Sequence, residues 1–164
     1  MEIEKIPHHD VGQLLYHKSG LLGLSGISSD PRVLLDREAE EPRARDALTL
    51  YVRRIVREIG ATTAALGGLD VLVFTAGILE HNAVLRERIC RDLEFMGITL
   101  DPEANQSHGP IISAQHSSIL VAVEPTNEEW IAALRANKLI AGPSLKEAVQ
   151  HAPEPAFSVP MSGR

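Results

Sequence analysis

The stretch Leu69-Asp-Val-Leu-Val-Phe-Thr-Ala-Gly-Ile-Leu-Glu-His-Asn82 decides the fold. It opens with Val71-Leu72-Val73-Phe74, apolar at every position, with Gly67-Gly68 before it and Gly77 after it. An unbroken apolar run of that length predicts a strand buried on both faces. Past the turn, Asn82 stands where it can cap a helix. The apolar positions Leu85, Ile89, Leu93 and Met96 of that helix share a face, and Gly97 takes the place of a left-handed terminator. The predicted unit is strand, glycine turn, helix. In open α/β sheets, ligands collect at the carboxyl ends of strands, where such turns present backbone N–H groups. The same unit also serves as a plain connection, so spacing alone names no ligand.

Upstream, the apolar positions Leu48, Tyr51, Val52, Ile55, Ile59, Thr62 and Leu66 recur at three- and four-residue steps. They predict a long helix entered through the charged residues 36–46, with Pro42 in its first turn. Before it, Ser19 to Arg32 is dense in glycine and serine, and Leu21, Leu22, Leu24 and Ile27 are expected to be buried. It lacks the Gly-Lys-Ser/Thr end of a P-loop. Asp30-Pro31-Arg32 offers an acceptor and a forked donor in one turn, and a cap by Asp30 on the next element accounts for it without a ligand. A short helix is expected around Val11–His17.

Downstream, Ile98-Thr99-Leu100 reads as a short strand and residues 104–117, with His108 and His116, as a surface loop. A second strand, Ser118–Val123, leads into Pro125-Thr126-Asn127-Glu128-Glu129. Thr126 and Glu129 have capping-box spacing, in which the carboxylate returns to the Thr126 N–H. Glu128 is acceptable in a helix first turn on charge alone. The helix continues through Trp130 to Lys138, Gly142-Pro143 stops it, and residues 152–164 offer no apolar face and are expected to be mobile. Helices alternating with strands give an α/β class.

With 164 residues the chain can bury a core without staples. A net charge of −6 and no Lys/Arg cluster argue against a nucleic-acid surface. The single cysteine, Cys90, excludes an internal disulfide and reads as an apolar filler. His8-His9 has no third ligand at metal spacing. No run of about 18 apolar residues indicates a transmembrane helix, and residues 1–10 carry no signal-peptide core, so the expected location is the cytoplasm.

Three blocks carry a family resemblance. Phe74-Thr-Ala-Gly-Ile-x-Glu-x-Asn82 followed by a helix with Arg86 is similar to the adenosine-binding segment of acetate kinase. Leu93-Glu-Phe-Met-Gly-Ile-Thr-Leu-Asp-Pro-Glu-Ala-Asn105 and Val123-Glu-Pro-Thr-Asn-Glu-Glu129 continue it, and Lys18 to Arg32 extends it upstream. The resemblance runs from about Val11 to about Ile140. It implies a truncated C-terminal, actin-like ATPase (ribonuclease H-like) domain of that family, with residues 1–18 as a leader, 19–151 as the nucleotide-binding domain and 152–164 as a tail. It implies ATP/ADP contacts at Asp30, Pro31, Arg32, Gly77, Ile78, Leu79, Glu80 and His81, and Mg²⁺ held by Glu128. Magnesium takes one or two carboxylates plus phosphates and water, which suits a lone Glu.

The family's acid-binding and catalytic residues fall outside the resemblance, so no catalytic residue is assigned. The family transfers a phosphoryl group between ATP and acetate or propionate. This chain is expected to supply the nucleotide side only, working with a complementing N-terminal half. The alternative is a non-catalytic homodimerisation module. Two positions depart from the family pattern. Leu79 replaces the second glycine of Gly-Ile-Gly-Glu-Asn, which predicts weakened adenine binding and, if the backbone there is left-handed, strain. Pro31 replaces a larger side chain on the ribose side.

Overall fold

The computed structural model describes residues 7–126 and 128–141. The chain divides into two compact units, residues 1–68 and 69–164, meeting in sequence at the Gly67-Gly68 break.

The first unit is helical: α1 (His8–His17), α2 (Gly20–Ser25), α3 (Pro31–Arg37) and α4 (Pro42–Leu66). Pro42 sits in the first turn of α4, and Gly67, at φ 77°, ends it in the left-handed conformation. The opening half of α4 packs on α2 and α3 through buried Ala44, Ala47, Leu48 and Val52, with Leu34 of α3 fully buried. The apolar period that defines α4 continues beyond this contact, but Leu66 at its far end is 70 % exposed. Leu24, expected inside, is also exposed, and the buried side chain at that turn is Ser25. The reason is local. The Ser25 hydroxyl accepts the N–H groups of Ile27 (3.0 Å) and Ser28 (3.3 Å), folding the chain over itself.

The second unit holds β1 (Val71–Phe74), α5 (Gly77–His81), α6 (Ala83–Asp92), a 3₁₀ turn at Glu94–Met96, α7 (Pro102–Gln106), β2 (Leu120–Val123) and α8 (Glu128–Ala141). β1 and β2 are parallel, with Val71 opposite Leu120 and Phe74 opposite Val123. On its other side β2 is bridged by Ile111 through an antiparallel contact at Ala122. Leu85, Ile89 and Leu93 of the α6 face are fully buried with Ile98, Ile112 and Val121. Gly97, at φ 94°, closes the 3₁₀ turn. A Cβ there would lie 2.9 Å from the Ser118 Cβ, so only glycine fits.

Three expectations need correction here. Val73 is 42 % exposed, so β1 is not buried on both faces: among the described residues β2 is its only strand partner. Ile98–Leu100 is not a strand, since only Leu100 makes a bridge, to Ser113. Residues 104–117 are not a simple surface loop, because Asn105 and Ile112 within them are buried. Among the described residues no helix is long and apolar enough to cross a membrane. The chain after Ala141, with its Gly142-Pro143 stop and tail, lies outside the described residues.

Candidate functional site

The stretch after β1 turns through Ala76, at φ 62° and ψ 111°, a combination open mainly to glycine. The left-handed penalty anticipated at Leu79 therefore falls three residues earlier: Leu79 is helical, inside α5. Gly77 follows at φ 40°, and a Cβ added to it would meet nothing within 4 Å, so the space over this backbone is open. Asn82 ends α5 and caps α6, its Oδ1 accepting the Leu85 N–H at 2.9 Å as expected.

A buried arginine holds this segment in place. Arg86, 0 % exposed, sends Nη1 to the Leu79 carbonyl (2.7 Å) and the Glu80 carbonyl (2.8 Å), oxygens that the short α5 cannot satisfy itself. Its Nε donates to Asn105 Oδ1 (2.8 Å), and Nη2 donates to the Asn105 carbonyl (2.8 Å) and meets His108 Nδ1 (3.1 Å). The five N–H groups of the guanidinium thus have five acceptors. Burial depresses the Arg86 pKa, and none of these acceptors is a carboxylate. Asn105 in turn donates through Nδ2 to the Ala83 carbonyl (3.0 Å), so α5, α6 and α7 are tied at one point.

Asn105 and His108 were not read from the sequence as site residues. Their signal was there but incomplete: Asp101 caps α7 through the Glu103 and Ala104 N–H groups, at 2.9 Å and 3.1 Å, which fixes where α7 starts. Where α7 points its last turn was not legible. His108 occupies the left-handed position after that turn, at φ 54°, where glycine or asparagine usually stands. That conformation costs roughly 1 kcal/mol for a residue with a Cβ.

Glu80 leaves α5 on another side. Its Oε2 accepts the Thr126 N–H at 3.2 Å, and its Oε1 lies 3.2 Å from His81 Nε2. The Thr126 N–H is thereby engaged by a carboxylate from α5; the capping-box return expected from Glu129 involves a side chain outside the described residues. Glu80 thus fastens the turn after β1 to the turn after β2. The Glu128 backbone opens α8, while its side chain, like that of Glu129, lies outside the described residues.

Of the other predicted positions, Asp30, Pro31 and Arg32 belong to the first unit, and Gly77, Ile78, Leu79, Glu80 and His81 to the second. Asp30 caps α3, accepting the Arg32 N–H at 2.9 Å, and pairs with the Arg32 guanidinium at 2.7 Å; Pro31 is buried beneath them. The Arg32 hydrogen bonds hold the Asp30 carboxyl below its usual value, and Asp30 raises Arg32. Cys90 is buried and its thiol is pushed up to about 12 by burial, as suits an inert filler. A cavity of about 460 Å³ lies between α6 and α7, lined by residues including Cys90, Ile98, Leu100 and Asn105, but by none of Gly77–His81. Among the described residues no group of three or more His, Cys, Asp or Glu side chains is poised for a metal.

Comparison with known proteins gives this arrangement its context. The family model described as the Acetokinase family matches residues 1–134. An acetate kinase of Rhodopseudomonas palustris is 44 % identical over 144 residues, covering 87 % of this chain and 36 % of that protein. The crystal structure of Porphyromonas gingivalis acetate kinase superposes with a TM-score of 0.73 at 40 % identity, covering 84 % of this chain and 35 % of that one. A propionate kinase structure from Francisella tularensis gives a TM-score of 0.70 at 29 % identity, covering 76 % and 32 %. The chain thus spans about a third of the length of these relatives. It belongs to the acetokinase family, and its fold is a portion of the actin-like ATPase fold of the acetate kinases it matches.

Proposed function

We propose that this chain forms the nucleotide side of a carboxylate kinase, whose whole protein transfers a phosphoryl group from ATP to acetate or propionate. The observation that carries this reading is the clamped segment Gly77–His81, its backbone open above Gly77 and anchored below by Arg86. Phosphoryl transfer rests on positioning and charge neutralisation, and a fixed backbone segment supplies the first. In this reading Asp30, Pro31, Arg32 and Gly77–His81 contact ATP or ADP, and Glu128 holds Mg²⁺, which neutralises phosphate charge when bound. One carboxylate suits Mg²⁺, which completes its shell with phosphates and water. Residues 19–151 would form the nucleotide-binding domain, residues 1–18 a leader and 152–164 a tail, in a cytoplasmic protein. Catalysis would require a complementing N-terminal half.

Leu79 is a reason to expect weakened adenine binding, through its side chain rather than its backbone. Calorimetric titration with Mg-ATP tests both points. Saturable binding lost in Glu128→Ala supports the nucleotide reading, and tighter binding in Leu79→Gly supports the obstruction. Absence of binding in both the parent chain and Leu79→Gly would overturn it.

The second reading is a non-catalytic dimerisation module. It is favoured by large apolar side chains left exposed, among them Phe95 at 82 % and Leu66 at 70 %. Light scattering showing a stable dimer indifferent to ATP would select it.

A further inference from the structure

We infer that Glu80 is a positioning residue: its carboxylate clasps the turn after β1 to the chain entering α8, so that the two shift together. The residue is held at both ends. Its carbonyl accepts from Arg86 Nη1 at 2.8 Å, and its Oε2 accepts the Thr126 N–H at 3.2 Å. Its Oε1 lies 3.2 Å from His81 Nε2. The Glu80 side chain is 12 % exposed and that of His81 73 %, so of these two neighbours the carboxylate is the one enclosed by protein. A free carboxylate beside a phosphate chain would repel it. Engaged with a backbone N–H in a charge-assisted bond, this one is committed to the protein instead.

The far end of the clasp falls where the backbone has little else to hold it. β1 and β2 end side by side, the Glu124 N–H donating to the Phe74 carbonyl at 2.9 Å. Pro125 then offers no N–H. Thr126 carries the first donor after Glu124, and Glu80 takes it. α8 opens two residues later, at Glu128. Two residues of chain span about 7 Å, too short a tether to absorb a shift of Thr126 before it reaches the Glu128 backbone.

The functional consequence rests on the nucleotide reading of Gly77–His81, which it deepens. In that reading the segment meets the nucleotide through its open backbone, and Glu128 meets the Mg²⁺ that the nucleotide brings. The clasp sets the separation of those two contacts. Metal and nucleotide should then strengthen one another's binding only while Glu80 presents an acceptor to Thr126.

The experiment compares the full chain with Glu80→Gln, which keeps an oxygen acceptor at the same reach, and Glu80→Ala, which removes it. Without nucleotide, solvent exchange of the Thr126 amide, followed by NMR, should be alike in the parent and Glu80→Gln. In Glu80→Ala it should be roughly fivefold faster, the effect of losing one hydrogen bond. Calorimetry then gives the gain from metal, the ratio of the affinity for ATP with Mg²⁺ to that for ATP in EDTA. This gain should fall roughly fivefold in Glu80→Ala and return in Glu80→Gln, with affinity for adenosine alone unchanged. Equal losses of adenosine and Mg-ATP affinity in Glu80→Ala would make the carboxylate a ligand contact and overturn the inference. Thr126 exchange that ignores Glu80→Ala overturns it as well. If exchange follows Glu80 but the parent binds neither adenosine nor Mg-ATP, the clasp stands and the nucleotide reading fails.

Discussion

Arg86 is charged, wholly buried and surrounded by neutral acceptors. Such a group is retained only when each of its donors is satisfied, because a buried unpaired donor costs more than a formed bond returns. Arg86→Lys keeps the charge but offers a point donor in place of a fork. It is expected to lower stability by about 3 kcal/mol in urea unfolding, since Asn105 Oδ1 and at least one carbonyl lose their partner. Cys90 makes the opposite case, a buried group kept neutral. Its native value, about 12, lies above that of an exposed thiol, so the stabilising preference for the neutral form is complete below about pH 9 and is lost as pH rises toward the native value. Cys90 should not react with a disulfide reagent at pH 8 until urea is added, and Cys90→Ala should lack the alkaline fall in stability. Asp30, by contrast, has a lowered value, so what it contributes to capping α3 is present above the unfolded carboxylate range and fades as pH falls through it. At this scale the sequence was partly legible. Arg86 stood in a recognisable motif, but the side chains it meets, Asn105 and His108, lie 19 and 22 residues further on, and no local period reports a contact across that distance.

Elements were more legible than contacts, because apolar periods and caps are local signals. The bounds of α4 at Pro42 and Leu66, the Asn82 cap and the Gly97 stop all follow from residues adjacent to the feature they set. What escaped was the short α5, since five residues are too few to show a helical period, and with it the strain at Ala76. Ala76→Gly removes about 1–3 kcal/mol of backbone strain and adds back somewhat under 1 kcal/mol of unfolded-state entropy. The first effect wins, and the variant should be more stable by about 1 kcal/mol. Gly97→Ala meets the reverse situation. Its Cβ would collide with Ser118 on a backbone at φ 94°, and a loss of about 2–3 kcal/mol is expected. Thermal melts of the two variants should move in opposite directions.

For the whole molecule, the α/β class was readable from alternating elements, but the burial of β1 was not. An apolar run tells which side chains avoid water and leaves open which strands cover them. β1 has one described strand partner, β2, while β2 is also bridged by Ile111. Parallel sheets are ordinarily covered on both faces, and a two-stranded sheet is marginal alone. The amide of Val73 should therefore exchange faster than those of Leu85 and Ile89 in the chain by itself. It should slow on adding the remaining two-thirds of a relative's chain if the nucleotide-side reading is right, and stay unchanged if the chain is a self-sufficient module.

The single guanidinium that grips α5, α6 and α7 also limits how this region can be reused. A loop held by its own ends can be transplanted between scaffolds as a cassette. Gly77–His81 cannot, since its carbonyls are anchored by a residue outside it, which is oriented by Asn105 of α7 and His108 of the turn that follows. A graft would need to carry Arg86, Asn105 and His108 along with the five residues of interest, making the smallest portable unit the whole span from β1 to the turn after α7.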